Sequence, residues 1–75
     1  MPDHHLDITR ETCPMTFVRT RLALDRIVPG ETLHVLLAGD EPHRNVVRNA
    51  ESLGHAVTAD DARPDGFRLV SIRRR

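Results

Sequence analysis

With 75 residues the chain has room for one domain, whose core covers only about 60% of the surface the unfolded chain exposes. That argues against a large internal active-site cavity and places any chemistry at the surface or at the end of an element. Eleven arginines, no lysine and 11 carboxylates balance to a net charge of zero, so charge singles out neither nucleic acid nor an anionic membrane. No run approaches the ~20 apolar residues that span a bilayer and MPDHHLDI carries no apolar leader, which reads as a cytoplasmic protein without a membrane partner.

In chain order, His5 to Ile8 form a short candidate strand. Pro14 suits the first position of a helix, where its missing N–H costs nothing. The segment to Val28 carries Phe17, Leu24, Ile27 and Val28 at helical spacing, with Thr20 and Ala23 on the same side. Val18 and Leu22 fall off that stripe, which suggests cover on more than one side, and Pro29-Gly30 stops the helix.

Thr32 to Ala38, TLHVLLA, is β-branched, apolar and too short for a stable helix, hence a strand. Gly39-Asp40-Glu41-Pro42 reads as a turn opening a second helix, with Asp40 or Glu41 as N-cap and Pro42 in the first turn. Val46, Val47, Ala50 and Leu53 form its inner face, and Gly54 suits its C-terminal cap. His55 to Ala59 is a third strand, DDARPDG a loop, and Phe67 to Ile72 a fourth strand in which Phe67, Leu69 and Ser71 alternate with Arg68, Val70 and Ile72. The order βαβαββ predicts an α/β fold, a two-layer α/β sandwich with a four-stranded sheet and both helices on one face.

Cys13, the single cysteine, stands immediately before Pro14. If Pro14 begins the helix, Cys13 is its N-cap, beside N–H groups with no intrahelical partner. Those groups and the macrodipole stabilise thiolate over thiol, so the pKa is expected below its free value of ~8.5. Free cysteine is also among the most buried residue types. Against that role, Cys13 lies in a connection rather than on the apolar stripe, where function concentrates. With no second cysteine there is no resolving partner for thioredoxin-type exchange. A protease would need a histidine base, an orienting group and a cleft that so short a chain has little room for. A thiol that accepts a sulfur atom and passes it on needs only exposure, a low pKa and docking surfaces for partners.

The ordered set Leu6-Asp7, a short loop, Cys13-Pro14 opening a helix, Pro29-Gly30-Glu31-Thr32-Leu33 leading into a strand, Gly39-Asp40 after it and Gly54-His55 before the next resembles the TusA-like (SirA-like) sulfur carriers from about residue 5 to 72. The resemblance implies the same βαβαββ sandwich with a mixed sheet. It also implies that Cys13, the cysteine of a Cys-Pro-x-Pro motif, carries sulfane sulfur as a persulfide received from a cysteine desulfurase or rhodanese-like donor and relayed to a sulfur-accepting protein. Two positions depart from the family pattern: Thr16 stands at the second proline, and Arg10 at the glycine often found three residues before the cysteine.

Thr16 places a hydroxyl in the first helical turn, where it can bond a free backbone group and alters the surface beside the sulfur. Arg10 flanks the thiol and could stabilise thiolate, or is an ordinary solvated arginine. Arg21, about 12 Å along the helix from Cys13, matches a basic position that the resemblance links to partner docking; a snorkelling side chain is the alternative. Asp7 ends the first strand, where a carboxylate can bond loop N–H groups, and Asp40 is most simply a cap. The adjacent His4 and His5 do not make a metal site, and neither metal nor cofactor is expected. Arg73 to Arg75 read as a solvated basic end; neutral charge and two aromatic residues argue against direct nucleic-acid binding. The alternative to a sulfurtransferase is a non-enzymatic regulatory or protein-binding module on the same fold.

Overall fold

A computed structural model describes residues 3–12 and 15–75, so the expectations placed on Cys13 and Pro14 lie outside the described residues. The elements follow the order β1 (Asp3–Asp7), α1 (Met15–Arg26), β2 (Thr32–Ala38), α2 (Asp40–Ser52), β3 (Ala56–Ala62) and β4 (Phe67–Arg73). They build one sheet with strand order β1-β2-β4-β3. β1 runs parallel to β2, and β4 pairs antiparallel with both β2 and β3. The sheet is therefore mixed, as expected.

Alternation along β2 decides which face takes the helices. Leu33, Val35 and Leu37 are buried while His34 and Leu36 are half-exposed. On the covered face they meet Val70 and Ile72 of β4, Leu24 of α1 and Val46 and Ala50 of α2, with Ile8 and Ile27 closing the ends of the core. Each such aliphatic side chain contributes roughly 1.5–3 kcal/mol on burial. On the opposite face His5 stacks on His34 with ring centroids 5.1 Å apart, and His34 Nδ1 lies 2.7 Å from Ser71 Oγ.

Helix α1 is shorter than the apolar spacing predicts. It ends at Arg26, so Ile27 still reaches the core but Val28 turns outward and is 58% exposed. The reason is the following turn: Glu31 N–H donates to the Val28 carbonyl (3.1 Å), the Glu31 carboxylate accepts from the Val28 N–H (2.8 Å), and Gly30 supplies a φ of 92°. Val18 and Leu22 are exposed, so the helix is covered on one side only. Two threonines, Thr16 and Thr20, lie on the buried side with Leu24. Thr20 satisfies its hydroxyl by donating to the Thr16 carbonyl (2.8 Å), the usual solution for a buried helical threonine.

Helix α2 corrects the expected cap. Its N-cap is Gly39, with no side-chain cap bond, and Asp40 and Glu41 lie inside the first turn. The chain leaves β2 with a φ of 99° at Gly39, a conformation costly for aspartate, so glycine takes the cap. The two carboxylates act on the helix dipole instead. At the other end Gly54 N–H donates to the Glu51 carbonyl and His55 N–H to the Ala50 carbonyl, both at 3.0 Å. With Gly54 at a φ of 87°, this is a Schellman ending.

Strand β3 runs through Asp60, Asp61 and Ala62, where the sequence predicts a loop. Register with Val70, Leu69 and Arg68 of β4 supplies their backbone partners, after an irregularity between Val57 and Ala59. Sheet pairing outweighs the poor strand propensity of aspartate.

Candidate functional site

The connection that leads to Cys13 leaves the sheet beside the β2–α2 turn, because β1 and β2 are parallel and end on the same side. Its first residue, Ile8, is fixed twice. The side chain is buried in the core, and its N–H donates to the Leu36 carbonyl (3.0 Å). The Ile8 carbonyl then accepts from the Glu11 N–H (3.1 Å), closing a turn with Thr9 and Arg10 at its centre.

Asp7 holds that turn from below. Its Oδ1 accepts from the Thr9 N–H (2.9 Å) and from the Thr9 hydroxyl (2.7 Å). The Thr9 backbone bond, then the Thr9 hydroxyl, hold the Asp7 carboxyl below its ordinary pKa, with Arg10 adding a smaller attraction. Asp7 is thus a charged brace for the turn. Arg10 is exposed at the turn's centre. Glu11 pairs with Arg19 of α1 (3.0 Å), linking the turn to the helix it precedes. Chain order gives no warning of this pair, which lies across the connection.

Met15 N–H donates to the Thr12 carbonyl (2.7 Å), so the described residues on either side of Cys13-Pro14 are tied together. Thr16, expected on the surface beside the sulfur, is 1% exposed. It faces the interior because it shares one side of α1 with Thr20 and Leu24. Arg21 is exposed and borders the cleft between α1 and α2, with Phe17 and Leu53 as neighbours. On the other flank of α1 an open groove of about 290 Å³ is lined by Leu6, Met15, Arg19, Leu22, Ala23 and Arg26.

A second polar cluster occupies the same end of the sheet, and no spacing in the sequence signals it. His43, in the first turn of α2, donates from Nε2 to Asp60 Oδ2 (2.7 Å). Arg68 Nη2 donates to Asp60 Oδ1 (3.2 Å). Burial raises the Asp60 pKa, but the bonds and charges of His43 and Arg68 outweigh it and leave the carboxyl below its usual value. Among the described residues no group of three or more His, Cys, Asp or Glu side chains is placed to hold a metal, and no helix is long and apolar enough to cross a membrane.

The sequence profile of the family described as Sulfurtransferase TusA matches residues 4–74. The chain belongs to the TusA family. A relative from Archaeoglobus fulgidus, named as a candidate sulfur carrier protein, is 42% identical over 52 residues, 69% of this chain and 59% of that protein; the match thus spans less than two thirds of that relative's length. A candidate sulfur carrier from Methanocaldococcus jannaschii is 32% identical over 65 residues, 87% of each chain. The crystal structure of a SirA-like protein from Desulfitobacterium hafniense superposes with a TM-score of 0.82 at 24% identity, covering 92% of this chain and 93% of that one. That likeness shows the fold: two helices on a four-stranded mixed sheet.

Proposed function

We propose that this chain is a sulfurtransferase of the carrier type, with Cys13 as the atom-bearing residue. The Cys13 thiolate attacks the outer sulfur of a donor persulfide, the donor's S–S bond breaks, and the donor leaves as thiolate. The product is a Cys13 persulfide, and no external oxidant or reductant is consumed because the sulfane sulfur moves at constant oxidation state. An acceptor nucleophile then attacks that outer sulfur and releases Cys13 thiolate.

The observation that carries this reading is the match over residues 4–74, which includes Cys13-Pro14. The braced turn from Ile8 to Glu11 supports it, since it restrains the segment that precedes the sulfur. A cysteine desulfurase or rhodanese-like protein is the donor class, and a second protein the acceptor. The exposed Met15, Val18 and Leu22 on α1, with Arg10 and Arg21, are surfaces on which such partners could dock. A reducing cytoplasm suits a lone thiol that must stay free between cycles.

Intact mass after incubation with a cysteine desulfurase and cysteine tests the proposal. A gain of ~32 Da that is lost on reduction and absent in Cys13→Ser is expected. Loading that persists in Cys13→Ser overturns it, and a wild-type chain that never loads favours a regulatory, protein-binding role.

A further inference from the structure

The end of the sheet opposite the turn that leads to Cys13 carries the three terminal arginines. Arg73 closes β4 in register with Thr32 of β2 and Ala56 of β3. A solvated tail is the expectation from sequence, but the backbone here is tied down. Arg74 N–H donates to the Glu31 carbonyl (2.9 Å), and the Arg74 carbonyl accepts from the Gly30 N–H (3.0 Å). Arg75 N–H donates to His55 Nδ1 (3.0 Å). The Arg74 guanidinium bonds the Ile27 carbonyl just beyond α1, a role basic side chains often take at helix ends. The Arg75 side chain lies across Gly54, where an added Cβ would come within 2.9 Å of its Cδ.

Beside these bonds lies an open groove of about 530 Å³ lined by Pro29, Gly30, Gly54, Ala56 and the three arginines. Arg74 is committed to the helix end. Arg73 and Arg75 have no carboxylate partner among the described residues. Glu31, the acid nearest in sequence, is occupied by His4 and the Val28 N–H. The His55 pKa is lowered by burial first and by Arg74 next, with Asp25 opposing and Arg75 adding a smaller push.

The lining decides what these arginines would hold. A protein partner is anchored by large apolar or aromatic side chains seated in pockets, and none lines this groove. Stacking of bases on aromatic side chains, which holds single strands whatever their sequence, has no platform among the lining residues, so a strand could be held here only through its phosphates. What remains is an anion with repeated oxygens, for which guanidinium forks are the preferred donors. Arg73 and Arg75 are two residues apart, so their Cα atoms lie at most about 7 Å apart, a span comparable with successive phosphates along an extended strand.

Net charge and aromatic content argue against nucleic-acid binding by the chain as a whole, but the local clustering of arginines at this groove differs from that average. We propose that this groove binds the phosphate backbone of single-stranded nucleic acid without stacking on its bases, with Arg73 and Arg75 as the contacts and Arg74 fixed to the Ile27 carbonyl beside them. The site is independent of the sulfur chemistry and leaves the opposite end of the sheet free while a strand is held.

Fluorescence anisotropy of the full chain with labelled oligo-uridine and oligo-thymidine, each roughly 12 nucleotides long, provides the test. Two neutralised phosphates predict a slope of about −1.4 in log K against log salt, hence about a sevenfold loss from 50 to 200 mM. Both strands should bind comparably, and amide resonances of Gly30, Gly54 and Ala56 should shift on titration. Arg73→Gln with Arg75→Gln should abolish binding, whereas Arg73→Lys with Arg75→Lys should retain much of it; circular dichroism of each verifies the fold. The proposal is overturned by no binding at low salt, by affinity unchanged in the glutamine variant, or by shifts confined to the Thr9–Thr12 end. Binding of inorganic pyrophosphate without either oligonucleotide also overturns it, since the groove would then be a small-anion site. If the double glutamine variant unfolds, the single variants Arg73→Gln and Arg75→Gln are used, and each must weaken binding.

Discussion

His43 and Asp60 meet at 2.7 Å, joining the first turn of α2 to β3 across 17 positions of sequence. Arg68 of β4 reaches the other oxygen of the same carboxylate, so one aspartate ties a helix to both strands of the terminal hairpin. Asp60→Asn should cost about 1 kcal/mol, less than a fully buried charged bond because the side chains are partly solvated. Chemical denaturation of the variant should show a lower midpoint with an unchanged slope. A midpoint equal to wild type would remove this cluster from the stability account.

Acid should weaken the fold through the same carboxylate. The folded pKa values of Asp60, Asp7 and Glu31 all lie below their ordinary values. Between the ordinary value near 4 and the lower folded value the unfolded chain binds more protons, so the contribution of these carboxylates is fully present above about pH 4.5 and is lost as pH drops through the folded values. His55 acts in the same direction at higher pH. Its lowered pKa means the unfolded chain takes up a proton first as pH falls below about 6.5, and stability declines from there. Denaturation midpoints from pH 8 to 3 should therefore fall in two steps, and His55→Asn should remove the upper one.

Asp7 is the brace of the turn before Cys13, through two bonds to Thr9. Asp7→Ala should raise the hydrogen-exchange rate of the Thr9 amide and slow persulfide loading while leaving the global unfolding midpoint little changed. Unchanged exchange at Thr9 would show that Ile8 and Glu11 hold the turn unaided.

Gly54 carries both the helix ending and the crossing of Arg75. Gly54→Ala should destabilise by about 1–2 kcal/mol from the left-handed backbone alone, with displacement of Arg75 in addition. Gly30 has a similar φ, but a Cβ there meets nothing within 4 Å. Gly30→Ala should therefore lose less, and thermal melts of the pair separate strain from contact.

Leu24 is 1% exposed and packs where α1 meets the sheet. Leu24→Ala should cost roughly 2–5 kcal/mol, a large share of what so small a domain possesses. Leu22, 51% exposed on the same helix, should tolerate alanine within about 0.5 kcal/mol. Equal losses at the two positions would mean that the outer side of α1 is covered in solution.

Local chemistry determined the order of elements in this protein. Thr32–Ala38 is a strand because its residues are largely apolar or β-branched, and α2 stops at Ser52 because Gly54 supplies the left-handed residue that closes its end. The ordered motifs from Leu6 to His55 likewise carry the resemblance to the family whose profile matches residues 4–74. Tertiary structure alone decided the strand order, the extension of β3 through Asp60 and Asp61, and the burial of Thr16. It also decided the meeting of His43, Asp60 and Arg68, and the pinning of Arg74 and Arg75 against Glu31 and His55. These depend on partners far away in sequence, whose backbone bonds and charges outweigh local propensity once the sheet has formed.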